Sequence, residues 1–344
     1  MTAAGGQPDA ALARLGFDER WQALYAELPA GSQLWRVIRD GGSGVVAAGS
    51  AGERRLPVPS GLQPVTGDWI AVRDDRILAI AQRISAVVRP RADGRPQVLA
   101  ANIDLVGVVH ALDRPLNRRR LERGLVLAWE SGASPVVVLT KADGATDPDS
   151  AAAQAAAGSG ADVVVTSAVD GRGLAALRQL IAPARTLVLL GASGAGKSSL
   201  ANALLGAAAM PTAAVRAGDG KGRHKTSHRQ LLVVPSGGLL LDTPGLRALV
   251  IGAAEQGLSR AFPDIEALAR GCRFGDCRHD SEPGCAVLAA LDAGELGADR
   301  LEGWRRVRRE ADSARVRADP VALRERNRQW GRMAREVQAH KHPR

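Results

Sequence analysis

A glycine-rich segment near the middle of the chain constrains the fold more than any other sequence feature. It reads Gly191-Ala-Ser-Gly-Ala-Gly-Lys-Ser198 and fits the pattern G-x-x-x-x-G-K-[ST]. Residues 186–190 before it are apolar and predict a strand, and residues 198–205 after it predict a helix. This order predicts a P-loop, in which backbone N–H groups and a helix N-terminus surround phosphate oxygens. The alternative is an ordinary glycine-rich turn between a strand and a helix.

The P-loop pattern assigns roles to individual side chains. We expect Lys197 to reach the β- and γ-phosphates of a bound nucleotide and the Ser198 hydroxyl to bind Mg²⁺. The predicted nucleotide contacts of this segment are Gly191, Ala192, Ser193, Gly194, Ala195, Gly196, Lys197, Ser198 and Ser199.

A second motif, Thr140-Lys-Ala-Asp143, follows a predicted strand at residues 133–140. Ligands of open α/β sheets bind at this end of a strand. The Asp143 carboxylate can accept two hydrogen bonds from the pyrimidine edge of guanine, a donor pair that adenine lacks, and the Lys141 stem can lie against the base. A further strand leads into Ser167-Ala168, whose backbone N–H can bond the guanine oxygen. The predicted base contacts are Thr140, Lys141, Ala142, Asp143, Ser167 and Ala168.

The order of these two motifs is unusual, because ordinary GTPases place the phosphate loop before the guanine-reading motif and this chain places it after. Downstream, residues 239–245 read as a buried strand that ends in an acid and a turn. Asp242 there can hold Mg²⁺ through water, and the Gly245 N–H can contact the γ-phosphate. Residues 220–228 suit a switch whose Thr226 hydroxyl closes onto Mg²⁺ in the presence of GTP. A basic surface loop is the alternative for that segment.

A third cluster is independent of the nucleotide motifs. All three cysteines of the chain, with one histidine, follow the spacing C-x₄-C-x-H-x₅-C at Cys272, Cys277, His279 and Cys285. Three thiolates and one imidazole form a closed tetrahedral set, which is typical of a structural Zn²⁺ site with no position left for a catalytic water. A disulfide is the alternative, but it leaves one cysteine unpaired and requires an oxidising compartment. We expect one Zn²⁺ per chain.

Taken together, the permuted motifs, the Gly-Arg-His-Lys-Thr run at residues 222–226 and the cysteine cluster resemble the RsgA (YjeQ) family of small ribosomal subunit biogenesis GTPases. The resemblance extends over about residues 34–295 and includes Thr66-Gly-Asp-Trp69 and Ala100-Ala-Asn-Ile-Asp104. It implies an OB-fold before the GTPase domain, binding to the small ribosomal subunit and its rRNA, and release after hydrolysis. Thr140 departs from the family, which usually has Asn there; the hydroxyl can only partly replace an amide that ties the base to the P-loop.

The resemblance also suggests how water is oriented for hydrolysis. Many GTPases use a glutamine directly after the Asp-x-x-Gly turn, but Leu246 stands there in this chain. The family points to His224 of the switch as the water-positioning group, with Thr226 beside it, and His228 is the alternative histidine. Near neutral pH an imidazole can accept or donate a hydrogen bond to water.

The fold that we expect is multidomain. Residues 1–32 form an N-terminal arm, 33–91 a small β-barrel of OB-fold type, 92–250 a circularly permuted α/β P-loop GTPase domain, and 251–344 a mainly helical zinc-binding domain with a basic tail. One weak amphipathic helix is expected at residues 15–28, and residues 89–96 are expected to form a basic linker or flexible loop. Trp35 and Trp69 of the barrel are interpreted as core residues rather than as a surface for stacking bases. The arginine-rich tail is either a solvated helix packed on its own domain or an rRNA contact.

Composition agrees with a polyanionic partner, since the 344-residue chain has a net charge of +10. No apolar stretch reaches transmembrane length and the N-terminus lacks a signal-peptide pattern, so we expect a cytoplasmic protein with no membrane partner. We also expect a monomer. The hypothesis is a GTPase, cycling between GTP and GDP with Mg²⁺, that promotes late assembly of the small ribosomal subunit. The rival hypotheses are an RNA-binding scaffold with a structural nucleotide and a P-loop ATPase or kinase.

Overall fold

The first strands of the chain form a barrel in the computed structural model, which describes residues 9–25, 27–41, 44–90, 96–206, 229–242 and 255–318. The barrel strands are β1 Gln33–Gly41, β2 Gly44–Gly49, β3 Gly52–Pro57, β4 Trp69–Arg73 and β5 Arg76–Ile80. Strand β1 pairs with both β2 and β4, β3 pairs with β2, and β5 pairs with β4. Strands β3 and β5 lie next to each other, which brings the two edges of this sheet together. A five-stranded sheet curled in this way agrees with the expected OB-fold, a partly open barrel.

The two tryptophans of the barrel are both buried, as the sequence predicted, but they lie in different cores. Trp35 packs inside the barrel, whereas Trp69 packs outside it against the N-terminal arm. Its ring centroid lies 5.7 Å from that of Phe17 and 5.8 Å from that of Trp21.

The arm contains the helix expected at residues 15–28, in a shorter form, and a second helix that was not expected. The two are α1 Ala10–Arg14 and α2 Glu19–Tyr25. Gly16 between them has φ of +89°, and a Cβ there would lie 2.8 Å from the carbonyl oxygen of Ala184. The chain therefore turns at Gly16, because only glycine combines that dihedral with so close an approach.

A short hairpin and the main sheet follow the barrel. The hairpin pairs β6 Ala86–Pro90 with β7 Pro96–Ala101, so the chain on either side of residues 91–95 is extended and paired rather than loose. The main sheet contains β8 Leu105–Ala111, β9 Ser134–Thr140, β10 Asp162–Val165, β11 Thr186–Gly191, β12 Arg229–Val233 and β13 Leu239–Asp242. Its order is β10-β9-β8-β11-β13-β12, with β12 antiparallel to β13 and the other pairs parallel.

Helices cover both faces of this sheet, as the alternation of strands and helices predicted. They are α3 Arg118–Glu130, α4 Pro148–Ala156, α5 Leu174–Ile181 and α6 Lys197–Leu205, with a short 3-10 helix at Ala142–Gly144. Along β8 the side chains alternate: Val106 and Val108 share a core with α3, while Leu105 and Val109 share a core with α5 and α6.

The main sheet and the barrel are continuous, which the sequence did not indicate. Strand β12 pairs antiparallel with β1, through Gln230 opposite Arg39 and Arg229 opposite Asp40. An ion pair of 3.2 Å between Arg229 and Asp40 lies at the same position.

The C-terminal part is helical, as expected, and packs on α3. Its helices are α7 Glu255–Ala261, α8 Pro263–Ala269, α9 Ala286–Asp292 and α10 Ala298–Ala318. Gly257 of α7 allows the close approach, since a Cβ there would lie 2.5 Å from the Val126 carbonyl oxygen of α3. Along α10, Leu301, Trp304 and Val307 are buried. In the part of the chain that the structure describes, no helix combines the length and the apolar character needed to cross a bilayer.

Candidate nucleotide site and metal cluster

The glycine-rich segment links β11 to α6, in the strand-loop-helix geometry that the sequence predicted. Gly196 precedes α6 with φ of +81° and a left-handed backbone. The Lys197 ammonium donates to the carbonyl oxygens of Gly191 and Ala192, at 2.8 and 2.6 Å. The first turn of α6 contains Ser198. The loop therefore places a cation and the N-terminus of a helix together, as a phosphate site requires.

The guanine-reading motif begins at the C-terminal end of β9 and continues into the 3-10 helix. The Ser167 hydroxyl, which follows β10, donates to Asp143 Oδ1 at 2.7 Å. The same hydroxyl accepts hydrogen bonds from the backbone N–H groups of Val169 and Asp170, at 3.1 and 3.3 Å. Because the hydroxyl is held by the backbone, it fixes the orientation of the Asp143 carboxylate.

Thr140 connects this motif to the P-loop. Its hydroxyl donates to the Ala195 carbonyl oxygen at 2.7 Å and lies 3.3 Å from that of His110. Gly196 is close as well, since a Cβ there would lie 3.2 Å from Thr140 Oγ1. The Thr140 hydroxyl therefore links the guanine motif to the P-loop. The family usually uses an Asn amide at this position.

The sheet brings the predicted residues together because β11, β9 and β10 are parallel and end at the same edge. Asp242 ends β13, the other neighbour of β11. Gly245, His224, Thr226 and His228 lie outside the described residues.

One contact near this edge was not predicted. Lys141 Nζ lies 2.6 Å from Asp113 Oδ2, in the loop after β8. Asp113 belongs to no recognisable motif, so only the pairing of β8 with β9 could have indicated it.

A cavity of about 360 Å³ lies beside the P-loop. Its described walls come from the start of the loop, the end of β8 and α3, including Ala192, Arg120 and Leu121. Lys141, Asp143 and Ser167 are not among those walls. The cavity therefore lies beside the P-loop and apart from these three predicted base contacts.

The four predicted metal ligands converge in the C-terminal part. Their ligand atoms all lie within 4.8 Å of one another, and Cys277, His279 and Cys285 are buried. His279 Nδ1 is 3.6 Å from Cys272 Sγ and 3.4 Å from Cys285 Sγ, and those two sulfurs are 3.9 Å apart.

The three distances among Cys272, His279 and Cys285 fit three edges of a tetrahedral metal site. Zn–S bonds of about 2.3 Å and Zn–N bonds of about 2.0–2.1 Å imply edges of roughly 3.5–3.8 Å between ligand atoms. A disulfide needs sulfurs about 2.05 Å apart, so the three cysteines are free thiols in this arrangement. The residues present can therefore hold one metal ion.

Neighbouring residues fix the cluster. The Trp304 ring of α10 packs on the His279 ring with centroids 5.0 Å apart, and Arg305 donates to the His279 carbonyl oxygen. Cys285 caps α9, with its sulfur 3.5 Å from the Leu288 N–H. The cluster thus joins α9 to α10.

Comparisons with known proteins agree with this architecture. The sequence profile of the RsgA GTPase family matches residues 80–252. The chain is 43% identical over 339 residues to the small ribosomal subunit biogenesis GTPase RsgA of Streptomyces coelicolor, covering 94% of this chain and 92% of that protein. The chain belongs to the RsgA GTPase family.

Other members of the RsgA family are also similar. The Xanthomonas axonopodis protein of the same name is 42% identical, covering 90% of this chain and 86% of that protein. The crystal structure of YjeQ from Thermotoga maritima matches with a TM-score of 0.60 and 25% identity, covering 79% of this chain and 96% of that one. The structure of YloQ, described as a circularly permuted GTPase, matches with a TM-score of 0.60, 24% identity and coverage of 83% and 96%. The circularly permuted fold predicted from motif order is confirmed.

Proposed function

We propose that this RsgA-family chain binds the immature small ribosomal subunit and promotes its late assembly, and that GTP hydrolysis drives its release. The main support is the arrangement at one edge of the sheet. There the Thr140 hydroxyl binds the P-loop, and Ser167 orients the carboxylate of Asp143 in the same motif. The names of the relatives supply the ribosomal step.

Base recognition rests on Asp143 in this proposal. Its carboxylate accepts two hydrogen bonds from guanine, and the hydrogen bond from Ser167 orients it. The backbone N–H of Ser167 or Ala168 donates to the guanine oxygen, and Lys141 covers the face of the base.

The phosphates and Mg²⁺ bind at the other end of the nucleotide. The P-loop N–H groups and Lys197 contact the β- and γ-phosphates, and the other residues of the segment 191–199 surround these phosphates. Ser198 and Thr226 supply hydroxyl ligands to Mg²⁺, Asp242 holds it through water, and the Gly245 N–H contacts the γ-phosphate. Replacing the triphosphate with GDP releases the switch and lowers affinity for the subunit.

His224 is proposed to position the attacking water, with His228 as the alternative. The sequence reason is that Leu246 has no group able to do so. Substituting His224 with Ala should leave GTP affinity and subunit binding intact while stimulated turnover is lost; unchanged stimulated turnover would exclude it.

The metal of the Cys₃His cluster is proposed to be one structural Zn²⁺. Thiolate and imidazole ligands in a closed tetrahedral set favour zinc over the oxygen-preferring divalent ions. The domain boundaries near residues 32, 91 and 250, the rRNA contact, a monomeric state and a cytoplasmic location complete the proposal.

The deciding experiment measures GTP turnover with and without purified small ribosomal subunits. We expect slow hydrolysis by the protein alone and strong stimulation by subunits. Turnover that subunits leave unchanged would support a scaffold role instead, and equal use of ATP would support a P-loop ATPase.

Base recognition is tested separately with Asp143→Asn. Loss of a charged acceptor paired with two donors should weaken GTP binding by about 2–4 kcal/mol. Xanthine carries an oxygen where guanine carries the amino group, so this variant should gain preference for XTP. A variant that prefers GTP as strongly as the parent would show that another residue reads the base.

A further inference from the structure

We propose that Asp113 is a positioning residue for the guanine nucleotide, because its carboxylate holds the Lys141 side chain where the base binds. The inference rests on the proposed base site at Asp143. No motif includes Asp113, and among the described residues Lys141 is the member of the proposed base site to which it is bonded.

The sheet brings Asp113 close to Lys141. Strands β8 and β9 are parallel neighbours, and their last residues, Ala111 and Thr140, are register partners. One residue further on, the Leu112 N–H donates to the Thr140 carbonyl oxygen at 2.8 Å. This bond holds the two loops together beyond the ends of the strands, so the residues that follow come within reach of each other.

The contact itself is a short charge-assisted hydrogen bond. Lys141 Nζ lies 2.6 Å from Asp113 Oδ2, and both side chains are a little over one third exposed. Among the described residues, Asp113 supplies the one carboxylate in an ion pair with Lys141. The Lys141 backbone is left-handed, with φ of +61°, which fixes where the side chain leaves the chain. A fixed backbone and an anchored ammonium together restrict the flexible stem between them.

Asp113 is itself oriented by its neighbour. Arg114 donates to Asp113 Oδ1 at 2.8 Å and, more weakly, to Oδ2 at 3.4 Å, the oxygen that accepts from Lys141 at 2.6 Å. The Arg114 hydrogen bond, followed by that of Lys141, lowers the pKa of Asp113 well below its usual value. The carboxylate therefore stays charged at every pH at which the protein would be studied.

Anchoring the stem before binding reduces the conformational entropy lost when the nucleotide arrives. The stem contacts the flat face of the base, which guanine, hypoxanthine and xanthine share, whereas Asp143 reads the edge. Removing the anchor should therefore weaken all guanine-like nucleotides equally and leave the preference among them unchanged.

The test uses the full chain and equilibrium titrations with fluorescently labelled GDP, with GTP, ITP and XTP as competitors. Asp113→Asn should raise Kd about three- to fivefold for each nucleotide, the range of a partly exposed ion pair. The effect should shrink in high salt, and Asp113→Glu should recover part of the affinity. Asp149→Asn, an equal charge change at an exposed position in the first turn of α4, is the matched control.

Two further variants make the result decisive. In a Lys141→Ala background, Asp113→Asn should add no further loss, because the anchor has nothing left to hold. The proposal is overturned if Asp113→Asn matches the Asp149→Asn control, or if its loss persists without Lys141. Asp143→Asn, measured in parallel, reports on the base site: if it leaves the preference for GTP over XTP intact, the base site itself has been misassigned.

Discussion

The barrel and the C-terminal helices are each fastened to the GTPase domain by an arginine, but the partners of the two arginines differ in kind. Arg36 of β1 is 1% exposed. It donates to the Asn102 carbonyl oxygen at 3.0 Å, to the Thr186 hydroxyl at 2.8 Å and to the Leu15 carbonyl oxygen. None of its hydrogen-bond partners among the described residues is a carboxylate.

Arg300 of α10, in contrast, binds carboxylates. It donates to Asp264 at 2.8 and 2.9 Å and to Glu122 of α3 at 3.3 Å. It also donates to the Gly158 carbonyl oxygen, in the loop between α4 and β10, and its guanidinium lies 4.2 Å from the centre of the Phe262 ring.

The difference decides how each junction responds when it is disturbed. A carboxylate that loses its cation can take up a proton and become neutral. A buried carbonyl oxygen that loses its donor cannot, so it remains an unsatisfied acceptor. Burial lowers the pKa of Arg36 to about 10, so it stays charged at neutral pH. Burial raises the pKa of Glu122, against the opposing charge of Arg300, so this group is already shifted toward the neutral form. Removing Arg36 should therefore lower the free energy of unfolding more than removing Arg300.

A second difference lies inside the attached units. The barrel encloses its own apolar core around Trp35, Val37 and Ile70. The loop at residues 272–285 instead surrounds the four ligand atoms of the cluster. From this comparison we expect that the folded structure of the C-terminal unit depends on a bound metal ion and that of the barrel does not.

Metal removal should give the largest effect. A structural Zn²⁺ site supplies on the order of 10 kcal/mol of binding free energy to folding. Chelation under reducing conditions should therefore expose the amides of α9 and of residues 272–285 to hydrogen exchange, while strands β1–β5 keep their protection. Cys277→Ser should reproduce the pattern. If metal analysis shows the ion gone and α9 is still protected, the contrast between the two units is lost.

Arg36→Met should cause the next largest effect, because it leaves the oxygens of Leu15, Asn102 and Thr186 without their donor. We expect a loss of about 3 kcal/mol in the free energy of unfolding, measured by urea denaturation. Arg39→Met, on the exposed side of the same strand, is the matched control and should change little. Equal stabilities of the two variants would mean that Arg36 is not the fastening residue.

Arg300→Met should have a smaller effect, about 2 kcal/mol, because Glu122 and Asp264 can take up protons when they lose their cation. Adding Glu122→Gln in that background should recover part of the loss, because it removes a buried carboxylate that has no partner. Arg309→Met is the control on the same helix, where the side chain is 62% exposed. If the double variant is less stable than Arg300→Met alone, the unpaired Glu122 carboxylate is not the source of the loss.

The sequence predicted those parts of the molecule whose signals are local. The P-loop combines an apolar run, spaced glycines and a helix start in fewer than twenty residues, and the four metal ligands fall between positions 272 and 285. The Thr140 hydroxyl could be placed at the end of a strand, but its bond to the Ala195 carbonyl oxygen needed the sheet order.

The junctions could not be predicted in the same way. Arg36 and Thr186 are 150 residues apart, and an arginine among apolar strand residues carries no sign of its partner. The pairing of β1 with β12 likewise joins strands from two domains. The helix expected at residues 15–28 formed only at Glu19–Tyr25, because the chain turns at Gly16, and the short helix before that glycine was not predicted.

The smallest effect should be the pH dependence of the Arg300 junction. Burial alone would raise the pKa of Asp264, but the hydrogen bond and charge of Arg300 lower it. Its contribution to stability is therefore present above the unfolded value, about 3.9, and is lost as the pH falls through the lower folded value. Glu122 has the opposite sign: its folded pKa is raised, so stability increases as the pH falls through it.

Without Arg300, both carboxylates lose a cation and their folded pKa values rise. The difference in stability between the parent and Arg300→Met should therefore be greatest near pH 7 and should narrow as the pH falls toward about 4. Groups common to both proteins, including His110 and His279, cancel in this difference. The corresponding difference for Arg36→Met should change far less over the same interval, because its hydrogen-bond partners do not titrate. Urea denaturation of the parent and both variants at several pH values measures the two curves; parallel curves would show that the titratable partners of Arg300 do not distinguish the junctions.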